Sequence, residues 1–271
     1  MILYKYMSFS SARAVIDNNS IGFSCLEDLN DPFESAALCF EKSDELPNNS
    51  QYGPHRSRLS QMYGVLSLTR NPLNALMWAH YGDDHRGVVV GIDMDKAGLN
   101  DPSKSVIPAK FGEIIYTSSI PRNHLPTPTM DSWMNIGNQF SSFHEDNYDL
   151  FKNAFLYKDL AWGYEEEVRV VKNIIDPNGG SRYKKYSYSN SSGNWLQIQH
   201  QGRPVCCLSI PQDSIVEAYF GFSSHKNVTR LGVDESVYHS VREQFNHQGV
   251  DVKLVRRKTG TWSLEVSDFV V

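Results

Sequence analysis

Apolar positions in this chain form short runs that predict strands and helices in no regular order. Strands are predicted at residues 2–6, 21–26, 64–69, 87–92, 113–117, 205–210, 215–221, 251–256 and 262–268. Apolar residues at helical spacing predict helices at 12–17, 131–158 and 234–247, the first of them capped by Ser10 or Ser11. Because strands and helices do not alternate regularly, the predicted fold class is α+β with mixed, partly antiparallel sheets.

One further helix carries clear start and stop residues. Asn71 stands at the predicted cap, Pro72 at the first helical position, and Gly82 at the end. Helical spacing turns His80 toward the core and Trp78 toward a neighbouring stripe, where an indole can stack on a flat ligand ring. A satisfied interior imidazole is the alternative interpretation of His80. The candidate ligand contacts on this helix are Trp78, His80 and Tyr81.

The most informative stretch is residues 162–175, an apolar run that predicts a strand and begins with three consecutive glutamates. Glutamate is depleted in strands because its charged, flexible side chain packs poorly on a pleated surface. Since side chains alternate across a strand, Glu165, Glu167 and Arg169 are predicted to share one face, with Glu166 on the other. Neighbours on a face lie about 6.6 Å apart, close enough for two carboxylates to act on one ligand. A charged face exposed to solvent is the alternative.

Two other predicted strands carry polar or aromatic groups. Tyr4, Lys5 and Tyr6 lie on the first strand, and Ser67 and Thr69 share one face of the strand at 64–69. Tyrosines and hydroxyl groups on strands usually pack against their neighbours, so each of these segments also has a purely structural interpretation.

Turn residues mark the region between the second and third strands. The sequence Asn30-Asp31-Pro32 predicts an Asx turn that leads into a helix. Asp31 and Glu34 are therefore second-choice residues for a ligand cleft. A polar loop is predicted at residues 41–54, which contain Asn-Asn-Ser and Gly-Pro.

Composition places the chain among ordinary globular proteins. It has 271 residues, of which 40% are hydrophobic and 21% charged, enough to bury a sizeable core. No apolar run is long enough to cross a bilayer, and residues 1–15 lack the apolar core of a signal peptide. The cysteines have no CxxC spacing, which argues against a zinc site or a disulfide framework and predicts a cytoplasmic location.

The net charge of −5 is unevenly distributed, since residues 171–271 hold 12 basic and 9 acidic residues. Basic and aromatic residues are interleaved between positions 172 and 188, a composition that can stack bases and neutralise phosphates. A solvated loop or an edge strand is the alternative. The residues concerned are Lys172, Arg182, Lys184 and Lys185 with Tyr183, Tyr186 and Tyr188, and a second basic cluster is Lys253, Arg256, Arg257 and Lys258.

In their order along the chain, these motifs resemble a family of bacterial proteins of unknown function. The family pattern consists of LYKY, FxxxxxLNDPFE, a Ser/Thr strand that leads into MW(S/A)HY, RGVxxGID, a lysine, and WxYExExR. The matching segments are 3–6, 23–34, 67–81, 86–93, Lys158 and 162–169. An aromatic or basic first motif, a Ser/Thr strand and a Glu-x-Glu strand follow one another in the same order in the ADP-ribosyltransferases, to which the pattern is similar.

This resemblance implies one ADP-ribosyltransferase-like domain over residues 1–271, in which sheets with flanking helices surround a cleft that binds NAD as a substrate. It implies Glu167 as the carboxylate that stabilises an oxocarbenium-like ribose and Glu165 as the group that orients or deprotonates the nucleophile. The implied NAD contacts are Tyr4, Lys5, Tyr6, Ser67, Thr69, Trp78, His80 and Tyr81. No metal is implied.

The resemblance also implies what the protein acts on. Some members of such groupings are toxins or phage-defence effectors that modify nucleic acid. The expected acceptor is therefore a macromolecule, either RNA, DNA or protein, and an antitoxin is a further expected partner.

Two alternatives come from other functional classes. A non-catalytic sensor or interaction module of a defence or toxin–antitoxin locus would use the Glu-x-Glu face as a partner surface. A metal-dependent nuclease would use Asp31, Glu34, His80 and Glu165, which lack the spacing of metal ligands. The chain contains neither GxGxxG nor GxxxxGK, so Rossmann and P-loop modes of phosphate binding are disfavoured.

Overall fold

The computed structural model describes residues 1–40, 52–122, 124–126, 140–180, 184–222 and 235–267. Several predicted segments lie partly outside the described residues: positions 41–51 of the polar loop, 131–139 of the long helix, and Arg182 and Tyr183 of the basic segment. Positions 234 and 268, at the ends of two other predicted elements, also lie outside them.

Short strands make up most of the regular structure. They are β1 (Ile2–Met7), β2 (Ser20–Cys25), β3 (Cys39–Phe40), β4 (Tyr63–Thr69), β5 (Val88–Asp93), β6 (Ile115–Thr117), β7 (His124–Leu125), β8 (Tyr157–Asp159), β9 (Glu167–Asn173), β10 (Tyr186–Asn190), β11 (Gly193–His200), β12 (Arg203–Ser209), β13 (Ile215–Phe220), β14 (Asp251–Arg257) and β15 (Leu264–Ser267). The helices are α1 (Phe9–Asn18), α2 (Tyr52–Met62), α3 (Ala75–His80), α4 (Glu145–Phe155) and α5 (Glu235–His247).

One large sheet organises the described part of the chain. Its eleven strands run in the order β10-β11-β12-β2-β4-β1-β5-β13-β14-β15, with β9 paired to β4. Neighbouring strands are antiparallel except for β13 and β14, which are parallel. Two small parallel pairs, β3 with β7 and β6 with β8, complete the strand pairing. The predicted mixture of helices with a partly antiparallel sheet is confirmed.

The sheet divides along one edge of β4. On its other edge β4 pairs with β9 over its whole length, from Tyr63 to Thr69. The divided edge is shared, because β2 pairs only with Gly64 and Val65, while β1 pairs only with Thr69. Positions 66–68 therefore face no strand on that edge. The strands on this edge of β4 are thus split, within a sheet that is otherwise continuous.

Apolar clusters on both sides of the sheet fix this arrangement. One cluster packs Ile16 of α1 and Phe245 of α5 against β5 and β13. A second packs Phe155 of α4 against β4 and β9. A third places Trp78 of α3 beside Tyr6 of β1. The helices thus cover the central strands of the sheet.

Helix starts differ from the predictions by a few residues. The hydroxyl of Ser8, rather than that of Ser10 or Ser11, caps α1 by accepting a hydrogen bond from the backbone N–H of Ser11. Asn74, rather than Asn71, caps α3. The side chain of Asn71 instead accepts from the N–H of Leu73 and forms a turn before the helix. In both cases a short polar side chain that can close a turn was available at more than one position.

One helix prediction was wrong in extent, and one helix was missed. The predicted helix at 131–158 is helical only over Glu145–Phe155 in its described part, and Tyr157–Asp159 forms a strand. The helix Tyr52–Met62 was not predicted, because Gly53 and Pro54 indicated a loop. A proline is tolerated in the first turn of a helix, where its missing N–H has no intrahelical partner.

The cysteines Cys25, Cys39, Cys206 and Cys207, all within the described residues, form no disulfide bond. Within the described ranges, no helix combines the length and the apolar character that a membrane span requires.

We expect Gly112→Ala to destabilise the fold by about 2 kcal/mol or more, because the new methyl group overlaps the backbone carbonyl of Arg169. The carbonyl of Gly112 also accepts the N–H of Arg169 at 2.7 Å, so neither segment can withdraw freely. Gly163→Ala is the matched control, since the nearest atom to its new methyl group is 3.9 Å away. Urea unfolding of both variants checks this, and equal stabilities would contradict the packing argument.

Candidate active site

The split in the sheet opens into a cavity of about 250 Å³. Strands β1, β2, β4 and β9 contribute to its wall, together with the turn after β2 and the end of α3. Most of the predicted site residues line this cavity, namely Tyr4, Lys5, Tyr6, Ser67, Thr69, Tyr81, Glu165 and Glu167. Further lining residues are Ser24, Asp28, Leu29, Asn30, Glu34, Val65, Leu68, Met77, Lys158 and Arg169.

Glu165 and Glu167 line the cavity because of a backbone conformation that strand alternation did not predict. Glu165 ends a 3₁₀ helix, and β9 begins only at Glu167. Between them, Glu166 has left-handed backbone angles of φ 46° and ψ 45°. This kink turns Glu166 outward, where it is exposed, while Glu165 and Glu167 are buried. The prediction that both carboxylates point the same way is confirmed, and the alternative of a solvent-exposed acidic face is wrong.

A single ammonium group joins the two carboxylates. The Nζ atom of Lys158 donates to Oε2 of Glu165 at 2.6 Å and to Oε2 of Glu167 at 3.1 Å. It also lies 4.7 Å from the centre of the Trp162 ring, a cation–π contact. The second oxygen of Glu165 accepts the hydroxyl of Tyr81 at 2.6 Å. The two acidic groups therefore share one cation and face the same space.

A buried guanidinium holds the other side of Glu167. Arg169 Nε donates to Glu167 Oε1 at 2.8 Å, and Arg169 Nη1 donates to Glu34 Oε2 at 2.7 Å. The same Nη1 atom donates to the carbonyl of Phe155 at 2.7 Å. Arg169 is 1% exposed. Its planar fork thus bridges two carboxylates that lie far apart in the sequence.

These contacts decide the ionisation of the groups. Burial alone raises the pKa of Glu167, but the charges of Arg169 and Lys158 outweigh burial and lower the pKa to about 2. Burial lowers the pKa of Lys158, and the charges of Glu167 and Glu165 more than offset this and raise it. The carboxylate of Glu167 and the ammonium of Lys158 are therefore both charged at neutral pH.

Pairing between β4 and β9 places the hydroxyl residues next to the acidic ones. Thr69 lies opposite Glu167, and Ser67 lies opposite Arg169. Opposite residues of an antiparallel pair project from the same face, and diagonal neighbours are within reach of long side chains. Ser67 accordingly forms a side-chain hydrogen bond with Glu167, one of the contacts that lower its pKa. Thr69 is buried and accepts the backbone N–H of Asn71.

Lys5 fills part of the gap between β1 and β2. Ser67 of β4 lies opposite Arg169 of β9, but the N–H of Arg169 donates to Gly112 and not to Ser67. The carbonyl of Ser67 therefore points to the other edge of β4, where the sheet is split. Nζ of Lys5 donates to that carbonyl at 3.1 Å. Burial lowers the pKa of Lys5 to about 8, and the nearby charge of Glu167 only partly compensates. Lys5 is thus a cation with no direct carboxylate partner among the described residues, beside an acidic wall.

The tyrosines of the cavity differ in how firmly hydrogen bonds fix their hydroxyl groups. The hydroxyl of Tyr6 donates to the carbonyl of Asn71 and accepts the N–H of Asn74, so it is fixed. The hydroxyl of Tyr4 donates to Glu217 at 3.0 Å. Tyr81 is partly exposed and receives a hydrogen bond from Asn30 at 2.7 Å. Burial, then the hydrogen bond to Glu165, raises the pKa of Tyr81, which remains a neutral donor.

Trp78 and His80 do not reach the cavity. Trp78 is fully buried, packs edge-on against Tyr6, and donates its indole N–H to the carbonyl of Pro72. His80 is exposed, with its ring 6.3 Å from the ring of Tyr81. The predicted stacking of Trp78 on a ligand is wrong, because its indole is buried against Tyr6. Of the three predicted contacts on this helix only Tyr81 lines the cavity, together with Met77. His80 is also not the interior imidazole that helical spacing predicted.

The turn after β2 supplies Glu34. The predicted Asx turn is confirmed, since Oδ1 of Asp31 accepts the N–H of Phe33 at 2.9 Å. The helix predicted after it is absent from the described structure, where residues 32–37 form turns. Asp31 is buried outside the cavity lining, whereas Glu34 lines the cavity. Its partner, Arg169, lies 135 residues away in the chain, so no local sequence pattern indicates this contact.

The nuclease hypothesis does not fit this geometry. Glu34 and Glu165 are bonded to cationic side chains, and His80 and Asp31 lie outside the cavity lining. The described residues contain no group of three or more histidine, cysteine or acidic side chains that could hold a metal ion.

The basic segment at 172–188 is only partly available to a ligand. Lys172 is buried, and its Nζ donates to the carbonyls of Lys104 and Ser192. Burial lowers the pKa of Lys172 to about 8. Its predicted contact with phosphate is therefore wrong. Lys184 and Lys185 are exposed, beside the edge strand β10.

The central part of the chain matches one family model. Residues 77–170 match a family described as a protein of unknown function, DUF2971. No curated protein and no solved structure matches the chain. The matched residues include Lys158, Glu165, Glu167 and Arg169, so the buried charges of the site lie mostly within the range that the family model covers, and β1 and β4 precede it.

We expect Glu167 to stabilise the fold above pH 4.5 and to lose this effect as the pH falls toward 2, because its pKa is lowered from 4.5 to about 2 on folding. The full contribution is about 3 kcal/mol. The difference in unfolding free energy between the wild type and Glu167→Gln should therefore shrink between pH 5 and pH 3.

Urea unfolding at several pH values measures this difference. Glu166→Gln is the matched control, since Glu166 is exposed and bonded to neither Arg169 nor Lys158, and it shows the effect of removing a carboxylate outside the ion network. A Glu167→Gln difference that stays constant down to pH 3 would contradict the assigned ion network.

Proposed function

We propose that this protein is an NAD-dependent ADP-ribosyltransferase whose NAD site is the cavity at the split in the sheet. The observation that carries the proposal is the pair Glu165 and Glu167, both bonded to Lys158 in the wall of a cavity with tyrosine rings. A concave site with a few convergent charged groups is the usual form of a small-molecule site. The order of the sequence motifs supports the same class.

Glu167 has the properties that the bond-breaking step requires. Cleavage of the bond between nicotinamide and ribose develops positive charge on the sugar, and a fixed carboxylate stabilises it. Glu167 is held ionised by Arg169 and Lys158, as its pKa of about 2 indicates. It is also held in place by several hydrogen bonds, so little reorganisation accompanies the reaction.

Glu165 suits the second acidic role. Its oxygens contact the ammonium of Lys158 and the hydroxyl of Tyr81, which fix the direction of the carboxylate. A carboxylate so placed can orient the incoming nucleophile and accept its proton. The proton then resides on an oxygen of Glu165, and the new bond joins the nucleophile to the ribose carbon that nicotinamide has left.

The remaining lining residues fit the other parts of NAD. Lys5 can meet the pyrophosphate, since its only described hydrogen bond is to the carbonyl of Ser67. Tyr4 and Tyr81 are partly exposed and present ring surface to a flat nicotinamide. Ser67 braces the catalytic carboxylate through its hydrogen bond with Glu167.

The acceptor in this proposal is a macromolecule, either RNA, DNA or protein, and the protein acts as a toxin or phage-defence effector, with an antitoxin as a further partner. The family resemblance of the motifs supports this part. Incubation with labelled NAD and separate pools of cellular RNA, DNA and protein tests it, because only the acceptor pool becomes labelled.

One observation favours a non-catalytic interaction module as a second candidate. Glu34, Glu165 and Glu167 all have cationic partners within the protein, so the network is complete without a ligand. On this view the purified protein neither binds nor consumes NAD. Calorimetric titration with NAD separates the two candidates, since binding is expected only for the transferase.

We expect Glu167→Gln to lower the rate of nicotinamide release from NAD by on the order of 100-fold or more, because the charge that stabilises the oxocarbenium is removed. Arg169 keeps its ion pair with Glu34, and Lys158 keeps its ion pair with Glu165, so the variant should fold, although with reduced stability. Chromatographic detection of nicotinamide measures the rate, and circular dichroism verifies the fold.

Glu166→Gln is again the control and should retain the wild-type rate, because Glu166 is exposed and outside the cavity lining. Undiminished nicotinamide release by a folded Glu167→Gln protein would overturn the assignment of the catalytic carboxylate.

A further inference from the structure

The hairpin of β14 and β15 ends in an ordered tip at residues 258–263. The N–H of Lys258 donates to the carbonyl of Ser263 at 3.0 Å, which closes the tip. Within it, the N–H of Thr261 donates to the carbonyl of Lys258 at 3.3 Å, and Gly260 has φ +76°. A positive φ at the third residue of a β-turn is the conformation that glycine adopts most readily. The tip is therefore a defined turn.

This turn presents a tryptophan entirely to solvent. Trp262 is 101% exposed, whereas most large apolar side chains of the described chain pack into clusters. Its neighbours in the tip, Thr261 and Ser263, are polar and also exposed. An indole with both faces free is available for stacking on another flat ring.

Positive charge lies at the β14 end of the tip. Arg257 and Lys258 are exposed, and neither forms an ion pair with a carboxylate of the described residues. Arg256 does, with Glu265 at 2.9 Å. The guanidinium of Arg257 lies 5.8 Å from the centre of the Phe222 ring, which limits its freedom. On a chain of net charge −5, this is a local excess of positive charge.

We propose that the tip of this hairpin binds single-stranded nucleic acid. Trp262 stacks on a base, and Arg257 and Lys258 contact the flanking phosphates. A flat aromatic ring beside unpaired cations is the combination that binds single strands with little sequence preference. The attraction is local, as the acidic balance of the whole chain requires.

The composition of the tip distinguishes this ligand from a lipid surface. Trp262 is its only large apolar residue, and the other positions in 258–263 are lysine, threonine, glycine and serine. Membrane-surface segments bury a broad apolar face as well as their basic residues. The exposed Lys184 and Lys185 on the opposite edge of the sheet are a weaker candidate, because the nearby Tyr188 is buried.

The hairpin is joined to the candidate active site by packing. Val255 of β14 belongs to the same apolar cluster as Tyr6, Met77 and Trp78, and Leu264 of β15 packs against that cluster. Tyr6 and Met77 also line the cavity. The inference that the hairpin docks the acceptor rests on the proposed transferase function. The inference that it binds nucleic acid does not rest on that function and is tested without NAD.

Fluorescence anisotropy with labelled 20-nucleotide poly(U) RNA and poly(dT) DNA tests the proposal. We expect Trp262→Ala to weaken binding on the order of tenfold or more, because the stacked base loses its platform. Trp262→Phe should restore most of the affinity. Phe33→Ala is the matched control, since Phe33 is another exposed aromatic residue outside the hairpin, and it should leave binding unchanged.

Salt dependence tests the charged contacts. The double variant Arg257→Gln, Lys258→Gln should reduce the slope of log K against log salt by about 1.4, since each phosphate contact on a single strand contributes about 0.7. Lys184→Gln with Lys185→Gln is the control and should leave the slope unchanged. A larger loss in this control pair would overturn the placement.

Three results would overturn the proposal: no binding of either oligonucleotide by the wild type, unchanged binding by Trp262→Ala, or Trp262-dependent binding only to phosphatidylcholine–phosphatidylserine vesicles.

A measurement of nicotinamide release separates this inference from the proposed function. Trp262→Ala should retain the wild-type rate in the absence of nucleic acid. A wild-type protein that releases no nicotinamide but binds the oligonucleotides through Trp262 would refute only the transferase.

Discussion

The buried guanidinium of Arg169 is the interaction on which the arrangement of the site depends. It joins Glu34 in the turn after β2, Glu167 at the start of β9, and the carbonyl of Phe155 at the end of α4. Removal of one partner from a buried ion pair leaves an uncompensated charge at a cost of about 3 to 5 kcal/mol. These three segments, distant in sequence, are therefore held in contact by one side chain.

The charges of the site also involve the first strand, β1. Three carboxylates, Glu34, Glu165 and Glu167, face two buried cations, Lys158 and Arg169. Lys5 supplies the third positive charge near this group, with a pKa lowered to about 8 by burial. With Lys5 protonated, the three carboxylates of this group are matched by three cations, and this balance is lost as Lys5 deprotonates above pH 8. An anionic ligand group beside Lys5 would favour its charged form and oppose that change.

Sequence reasoning placed residues correctly where the predicted strand itself is present. Tyr4 and Tyr6 on β1, and Ser67 and Thr69 on β4, lie where strand periodicity placed them, and all line the cavity. It failed where a turn decides the geometry. The left-handed conformation of Glu166 breaks the strand that the apolar run predicted, and nothing in the residue type announces it, since glutamate rarely adopts positive φ.

The errors on α3 and α4 have a related cause. Both Asn71 and Asn74 can close a turn, so the helix start was misplaced, and of the predicted contacts on this helix only Tyr81 lines the cavity. Lys158 was counted within a long helix, although it lies on β8, whose parallel partner is β6. The pairing of a three-residue strand depends on tertiary contacts that local sequence patterns do not contain.

The composition of the ion network bears on why such a site exists. A buried ion pair is weak evidence for stability, because apolar residues of similar volume often stabilise a fold equally well. Here one side of the network opens into a cavity rather than into a core. Glu167 is the member that both Arg169 and Lys158 contact, so it couples the buried part of the network, at Glu34, to the part beside Glu165. Loss of its carboxylate would therefore disturb both cations at once.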